Sequence, residues 1–275
     1  MNKTLKKISD RQYYSALGGI VVLTIVAILY GQYVQAHNQA FFPKPLTDDD
    51  IKKYGNIDPN AIVVYPIFTQ NAYKDNGFYP PKGETKYPYN LSTNLIPKIN
   101  ASYTEGLNGY KYLKQLNYDF ITDIDIDKNP SILKNYDKVI LLHNEYVTQA
   151  EFDALKNHPH VIYLYPNSMY GKISVDYNTM KITLVQGHGY KNMTNGFGYV
   201  TSSKYEYDLR CDNYKWESRP NGIQPTCWPE FVVQADRTML EAIKEFPNKI
   251  PQNLIIPTNK VNLTNIKNCD WFSCK

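Results

Sequence analysis

The chain has 275 residues and a formal charge of +4, long enough for one large core or two small ones. Part of that excess is an N-terminal cluster (Lys3, Lys6, Lys7 and Arg11), so the remainder is close to balanced. With no Arg-rich stripe and no recognisable binding module, the composition argues against a nucleic-acid partner and reads the scattered lysines as solvated surface.

After the basic residues 1–12, an uncharged stretch runs from Gln12 to Ala36 with an apolar centre at Ala16–Tyr30 and tyrosines at its edges. It can span a hydrocarbon core of about 30 Å at about 1.5 Å per residue. The flanking charges put the N-terminus in the cytoplasm, and Tyr13, Tyr14 and Tyr33 suit an aromatic belt. A signal-anchor over 13–36 is expected. The competing reading is a signal peptide cleaved after Ala36. Both place residues 37–275 outside the cytoplasm, in the cell membrane's outer compartment. Glycosylation acceptors at Asn90, Asn100, Asn192 and Asn262 agree with that side. So does an even count of four cysteines, all in the last quarter of the chain. Cys211–Cys227 would staple a hairpin turned at Pro220-Asn221-Gly222, and Cys269–Cys274 would close a tight C-terminal loop.

Thr47, followed by Asp48, Asp49 and Asp50, predicts a capped helix ending near Gly55. Ala61–Phe68 is an apolar strand that Pro66 should end near Tyr65. From Thr69 to Ser102 no periodicity is visible, and a long loop, functional or mobile, is expected. Helical spacing returns over Tyr103–Leu116, followed by a short strand at Tyr118–Thr122. Asp123, Asp125 and Asp127 then alternate. They fail as a calcium loop, because Lys128 and Lys134 stand where Gly and Glu are required. They read as polar residues at a strand's end, before a short helix from Asn129-Pro130 to Tyr136.

Tyr136 to Tyr170 is the organising stretch. Lys138–Leu142 is a strand buried on both faces. Thr148 and Glu151 form a capping box, and Val147 and Phe152 a hydrophobic staple, for a helix stopped at His158-Pro159. Val161–Leu164 is the next strand. Beyond it, Lys172–Tyr177 and Met180–Gln186 alternate about Asn178-Thr179, a hairpin signal, and Ala235–Phe246 is the last helix. Strands alternating with helices imply an α/β three-layer sandwich with a mainly parallel, flavodoxin-like sheet, to which the hairpin adds antiparallel strands. One large outer domain is the expected count.

Three segments, YDFITDIDI at 118–126, YDKVILLHNEYVTQAEFDAL at 136–155 and VIYLYPN at 161–167, resemble the glutamine-amidotransferase-like fold, in the version found in the N,N-dimethylformamidase large-subunit family. In that family a strand ends in Gly-His-x-Glu-Tyr; the matching stretch here is Leu142-His143-Asn144-Glu145-Tyr146, and the resemblance spans roughly residues 60–190. It implies a mononuclear iron amidohydrolase with a Glu and two tyrosinates on the metal and a His close by. Glu145 matches the metal-ligating Glu, and His143 the neighbouring His. The two tyrosines have no motif to place them. Tyr65, at the end of its strand, is the candidate on position, and Phe120 offers no ligand. Carboxylate and phenolates suit a Lewis-acidic ferric ion. The glutaminase alternative needs a cysteine on the turn after the central strand, and residues 1–210 contain none.

With 25 tyrosines in the chain, a tyrosine constellation arises easily by chance, and a His and a Glu at a strand's end are often structural. The favoured expectation is therefore a non-catalytic binding or assembly subunit at the cell surface, with membrane or surface proteins as partners. The alternative is an iron-assisted hydrolase of small amides, with Glu145 as ligand and His143 as base. The alternative requires a concave site containing His143, Glu145 and at least one tyrosine hydroxyl within metal reach, about 2 Å from a common point, and Glu145 turned to bulk solvent or locked in a lysine pair would exclude it.

Overall fold

The computed structural model describes residues 21–29, 45–79, 90–100, 104–187, 196–197, 214–227 and 236–255. The chain divides into residues 1–43 and 44–275. In the first unit, residues 21–29 are helical and exposed; the rest of the expected span at 13–36 lies outside the described residues. Among the described residues no helix is long and apolar enough to cross a membrane.

In the second unit, Ala61–Tyr65 (β1) and Lys138–Leu141 (β4) are buried at every position, as branched runs covered on both faces require. Their alternate side chains enter two different cores. Ala61, Val63 and Tyr65 join Ile140 in one, and Ile62 and Val64 join Val139 and Leu141 in the other. Between β1 and β4 the chain forms Ser92–Asn94 (β2) and Asp119–Thr122 (β3); after β4 come Tyr146–Val147 (β5) and Val161–Tyr163 (β6). The later strands are Gly171–Asp176 (β7), Lys181–Gln186 (β8), Trp216–Arg219 (β9), Gly222–Pro225 (β10) and Leu254–Ile255 (β11). The main sheet has the order β11-β9-β10-β6-β4-β1-β3. Its five strands from β10 to β3 are parallel, and β9 and β11 run the other way.

The expected hairpin at 172–186 forms, with Met180 at φ +50° beside its turn. It does not join the main sheet. It pairs with β2 and β5 in a separate four-stranded sheet, and the antiparallel partner of the main sheet is β9, from the hairpin turned at Pro220-Asn221. The reason is the path of the chain: Tyr146–Val147 leaves the main sheet after the β4 corner and offers its own edge, which Gly171–Lys172 takes in parallel. Cys227 follows β10, fully buried and disulfide-bonded; the three other cysteines lie outside the described residues. Of the glycosylation acceptors, Asn100 is exposed and Asn90 half-buried, and Asn192 and Asn262 lie outside.

Helices connect these strands. Asp48–Tyr54 (α1) is closed by the Thr47–Asp50 capping box, as its sequence predicts. Ile67–Tyr73 (α2) and Thr104–Gln115 (α3) flank β2. Asp123–Lys128 (α4) is a helix rather than a polar strand end, because Thr122 and Asp125 make a second capping box. Gln149–Lys156 (α5) starts at its predicted cap, Thr148. Arg237–Glu245 (α6) is capped by Asp236. Its C-terminal carbonyls of Ile243 and Lys244 accept from the Nζ of the buried Lys138 at 2.9 and 3.1 Å, a cation where the helix dipole is negative. The stretch expected to be a structureless loop from Thr69 thus holds a helix and a strand. Helix α2 follows β1 after the single residue Pro66, and it brings the site together.

Candidate metal centre at the strand β4 corner

Strands β1 and β4 are parallel neighbours, in register from Ala61 with Lys138 to Val64 with Leu141. Their carboxyl ends therefore meet, which is where open parallel sheets collect ligands. At the end of β4 the chain turns sharply through His143, Asn144 and Glu145 before entering β5. All three residues are at most 1 % exposed. At the end of β1 it turns into α2, whose Thr69 and Tyr73 are four residues apart and so share a helix face.

Thr69 pins the backbone of the corner. Its Oγ1 accepts the amides of Glu145 and Tyr146, both at 3.0 Å. On the other side the Asn144 carbonyl accepts from Met169 at 2.7 Å and the Glu145 carbonyl from Gly171 at 2.9 Å. Gly171 is required: a Cβ there would lie 2.4 Å from the ring of Tyr146.

Tyr73 closes the corner. Its hydroxyl donates to Glu145 Oε2 at 2.5 Å, a short charge-assisted bond. Burial, then the Glu145 charge, then Tyr165 and Tyr146 push the Tyr73 phenol well above its ordinary range, so it is a neutral donor at neutral pH. Tyr79 stacks on Tyr73, with ring centroids 4.2 Å apart. Its hydroxyl donates to the Tyr73 hydroxyl at 2.8 Å and lies 3.4 Å from Glu145 Oε1. Tyr146 donates in turn to the Tyr79 hydroxyl at 3.0 Å. His143 Nε2 is 3.5 Å from Glu145 Oε2, and its ring packs against Tyr165 with centroids 3.8 Å apart. Between them Asn144 is buried with neither atom of its carboxamide hydrogen-bonded.

Of the expected site residues, His143 and Glu145 are brought together. Tyr65 is not part of this group. Its hydroxyl donates to Gln70 Oε1 at 2.9 Å, and its ring meets Tyr110 edge-on at 5.4 Å. Pro66 turns the chain directly behind Tyr65, which commits that side chain to the first turn of α2 and leaves the approach to Glu145 to the last turn. Sequence reasoning missed Thr69, Tyr73, Tyr79, Tyr146 and Tyr165. No local signal announced them: Pro66 stands at the N-cap of α2 without a side-chain capping bond, not at the first helical position that proline favours.

The oxygens of Tyr73, Tyr79 and Glu145 make a hard donor set of the kind a ferric ion takes. Contacts of 2.5, 2.8 and 3.4 Å link them, spacings compatible with ligands on one ion at about 2 Å each. These residues fit the ion that the family resemblance implies, through tyrosines other than Tyr65. Among the described residues no three His, Cys, Asp or Glu side chains could hold a metal ion, so any such centre here relies on phenolic oxygen. No family model matches the chain, and no curated protein matches it either.

Proposed function

We propose that residues 44–275 form a metal-dependent hydrolase of small amides, built on an amidotransferase-like three-layer α/β frame and carried outside the cytoplasm by a membrane anchor at 13–36. The observation that supports it is the convergence of Tyr73, Tyr79 and His143 on the buried carboxylate of Glu145. This is the arrangement that favours a hydrolase over the non-catalytic surface subunit.

In this reading Glu145, Tyr73 and Tyr79 would hold an iron ion, which would supply Lewis acidity toward an amide carbonyl and toward water; to serve as ligands, Tyr73 and Tyr79 would give up their phenolic protons. His143, whose Nε2 lies 3.5 Å from Glu145 Oε2, would take the proton of the attacking water at Nε2 and return it to the leaving nitrogen. Water adds to the carbonyl carbon and the carbon–nitrogen bond breaks, giving a carboxylic acid and an amine. Thr69 keeps Glu145 aimed, and the rings of Tyr73 and Tyr165 pack against His143.

The test is the metal content of the purified outer domain beside its Glu145→Ala and Tyr73→Phe variants. Near-stoichiometric iron with a visible tyrosinate charge-transfer band in the parent, lost in both folded variants, supports the proposal. A folded parent that takes up no metal on reconstitution refutes it and returns the domain to the binding-subunit reading.

A further inference from the structure

The helix that carries Thr69 and Tyr73 does not hold its own start. Its N-cap is Pro66, which makes no side-chain capping bond, and its first turn contains no acidic residue. A seven-residue helix with open N-terminal amides is marginal by itself. The missing acceptor arrives from a neighbouring strand. Strand β3 pairs with β1 so that Thr122 stands opposite Tyr65, and this sets the first residue of α4 beside the first turn of α2. That residue is Asp123, fully buried. Its Oδ2 accepts the Phe68 amide at 2.7 Å, across 55 positions of sequence, while Oδ1 accepts its neighbour Ile124 at 2.9 Å. The Ile67 amide faces it as well.

One residue past Phe68 is Thr69, whose hydroxyl holds the Glu145 and Tyr146 amides, and one turn further is Tyr73, which donates to Glu145. Asp123 therefore reaches the corner through a single rigid turn of helix. We infer that Asp123 is a positioning residue for this centre, supplying from the start of α4 the cap that α2 lacks and so setting where Thr69 and Tyr73 meet Glu145. The inference rests on the proposed metal centre for its consequence, and on α2 alone for its mechanism. Asp123 touches none of the candidate ligands, and its distance in sequence from both α2 and Glu145 hides the role from any motif.

The experiment is Asp123→Asn, which keeps the shape but sets an amide donor against a donor. It is compared with Leu240→Ala, a core truncation on α6 that loosens the fold elsewhere. Hydrogen exchange of the metal-free outer domain is followed by mass spectrometry in peptides covering 62–75, 142–150, 160–164 and 170–177. In Asp123→Asn, exchange is expected to speed about tenfold or more at Phe68, Glu145 and Tyr146 and to stay unchanged in β6 and β7, since one lost buried hydrogen bond is worth about a factor of ten. Iron affinity should fall by about 10- to 100-fold with a shifted tyrosinate band, as for groups that orient metal ligands. A uniform acceleration matching Leu240→Ala, or faster exchange at Phe68 with Glu145 and Tyr146 unmoved, overturns the inference. If Asp123→Asn does not fold, native-state exchange of the parent in rising denaturant decides: one shared opening for Phe68 and Tyr146 supports the coupling, and separate openings overturn it. Should the parent bind no iron, the metal reading falls while the exchange result still judges Asp123.

Discussion

Thr69→Val tests whether one hydroxyl holds the corner. Valine has the shape of threonine, so the substitution removes the acceptor and little else. The Tyr146 amide has Thr69 Oγ1 as its acceptor at 3.0 Å and, buried, would be left unsatisfied at a cost of about 1–3 kcal/mol. The Glu145 amide keeps a 3.0 Å contact to the His143 carbonyl, so it loses only a shared bond, worth about 1 kcal/mol. The sum is about 2–4 kcal/mol, which for a domain of this size lowers Tm by about 4–16 °C. Thr69→Ser, which restores the oxygen, should recover most of that loss. The assay is thermal unfolding of the metal-free outer domain by circular dichroism, with iron uptake measured on the same three proteins. Thr69→Val should also bind iron more weakly at temperatures where it is fully folded, because Glu145 is no longer aimed. A Thr69→Val protein with the parent's Tm would refute the reasoning, as would serine and valine variants of equal stability.

Two further outcomes follow from the same packing. Gly171→Ala puts a methyl group within 2.4 Å of the Tyr146 ring, so it should cost about 1–3 kcal/mol as an overpacked site, and it should alter the near-ultraviolet tyrosine signal; an unchanged spectrum and Tm would show that the ring has room to move. Glu151 concerns pH. Burial, then the charges of Asp123 and Asp127, push its carboxyl well above the ordinary value of 4.5. The folded protein therefore keeps a proton that the unfolded chain releases. That contribution is complete below about pH 4.5 and is lost as pH rises through the folded value, at about 1.4 kcal/mol for each unit between the two. Glu151→Gln, which cannot ionise, should lose less stability than the parent between pH 5 and pH 8; parallel pH profiles of Tm would refute this.

The strands were legible because burial on both faces leaves a composition that nothing else produces: β1, β4 and β6 are branched apolar runs, and Pro66 marked the end of β1. Helices with a capping signal were equally plain at Thr47 and Thr148. The Thr122–Asp125 box carried the same signal, but the aspartate alternation obscured it. Helix α2 was not legible, since its cap is a carboxylate 55 residues away, and no local pattern can announce a long-range partner. The capping box expected at Thr148 is only half made: Thr148 accepts the Glu151 amide at 3.1 Å, while the Glu151 carboxyl turns into the interior toward Asp123 and Asp127. For the candidate site, the His143–Glu145 pair could be read from its strand-end position, whereas its tyrosines could not. Tyr73 and Tyr79 lie about 70 residues upstream in a tyrosine-rich segment, and only the register of β1 with β4 selects them from the other 23.

Three fully buried carboxyl groups in one small region show how partner chemistry, rather than burial, separates their roles. Asp123, Glu145 and Glu151 are all 0 % exposed. Burial pushes the Asp123 carboxyl well above its ordinary value, and the backbone amides it faces offset only part of that; those amides are fixed donors that cannot be displaced, so it suits a structural cap. Glu151 has no hydrogen bond to either oxygen and has acidic neighbours, so its low-cost state is the neutral acid. Glu145 alone is met by groups that can exchange a proton for a metal: two phenols in hydrogen-bond contact with one another, and an imidazole 3.5 Å away. In the proposed reading such a carboxylate would suit a cation, since each phenol that lost its proton would turn from a donor to the carboxylate into a further anionic ligand. The same exchange would make binding tighten with rising pH, and on the proposed reading it is why this corner, and not the more acidic cluster behind it, is where a cation would be sought.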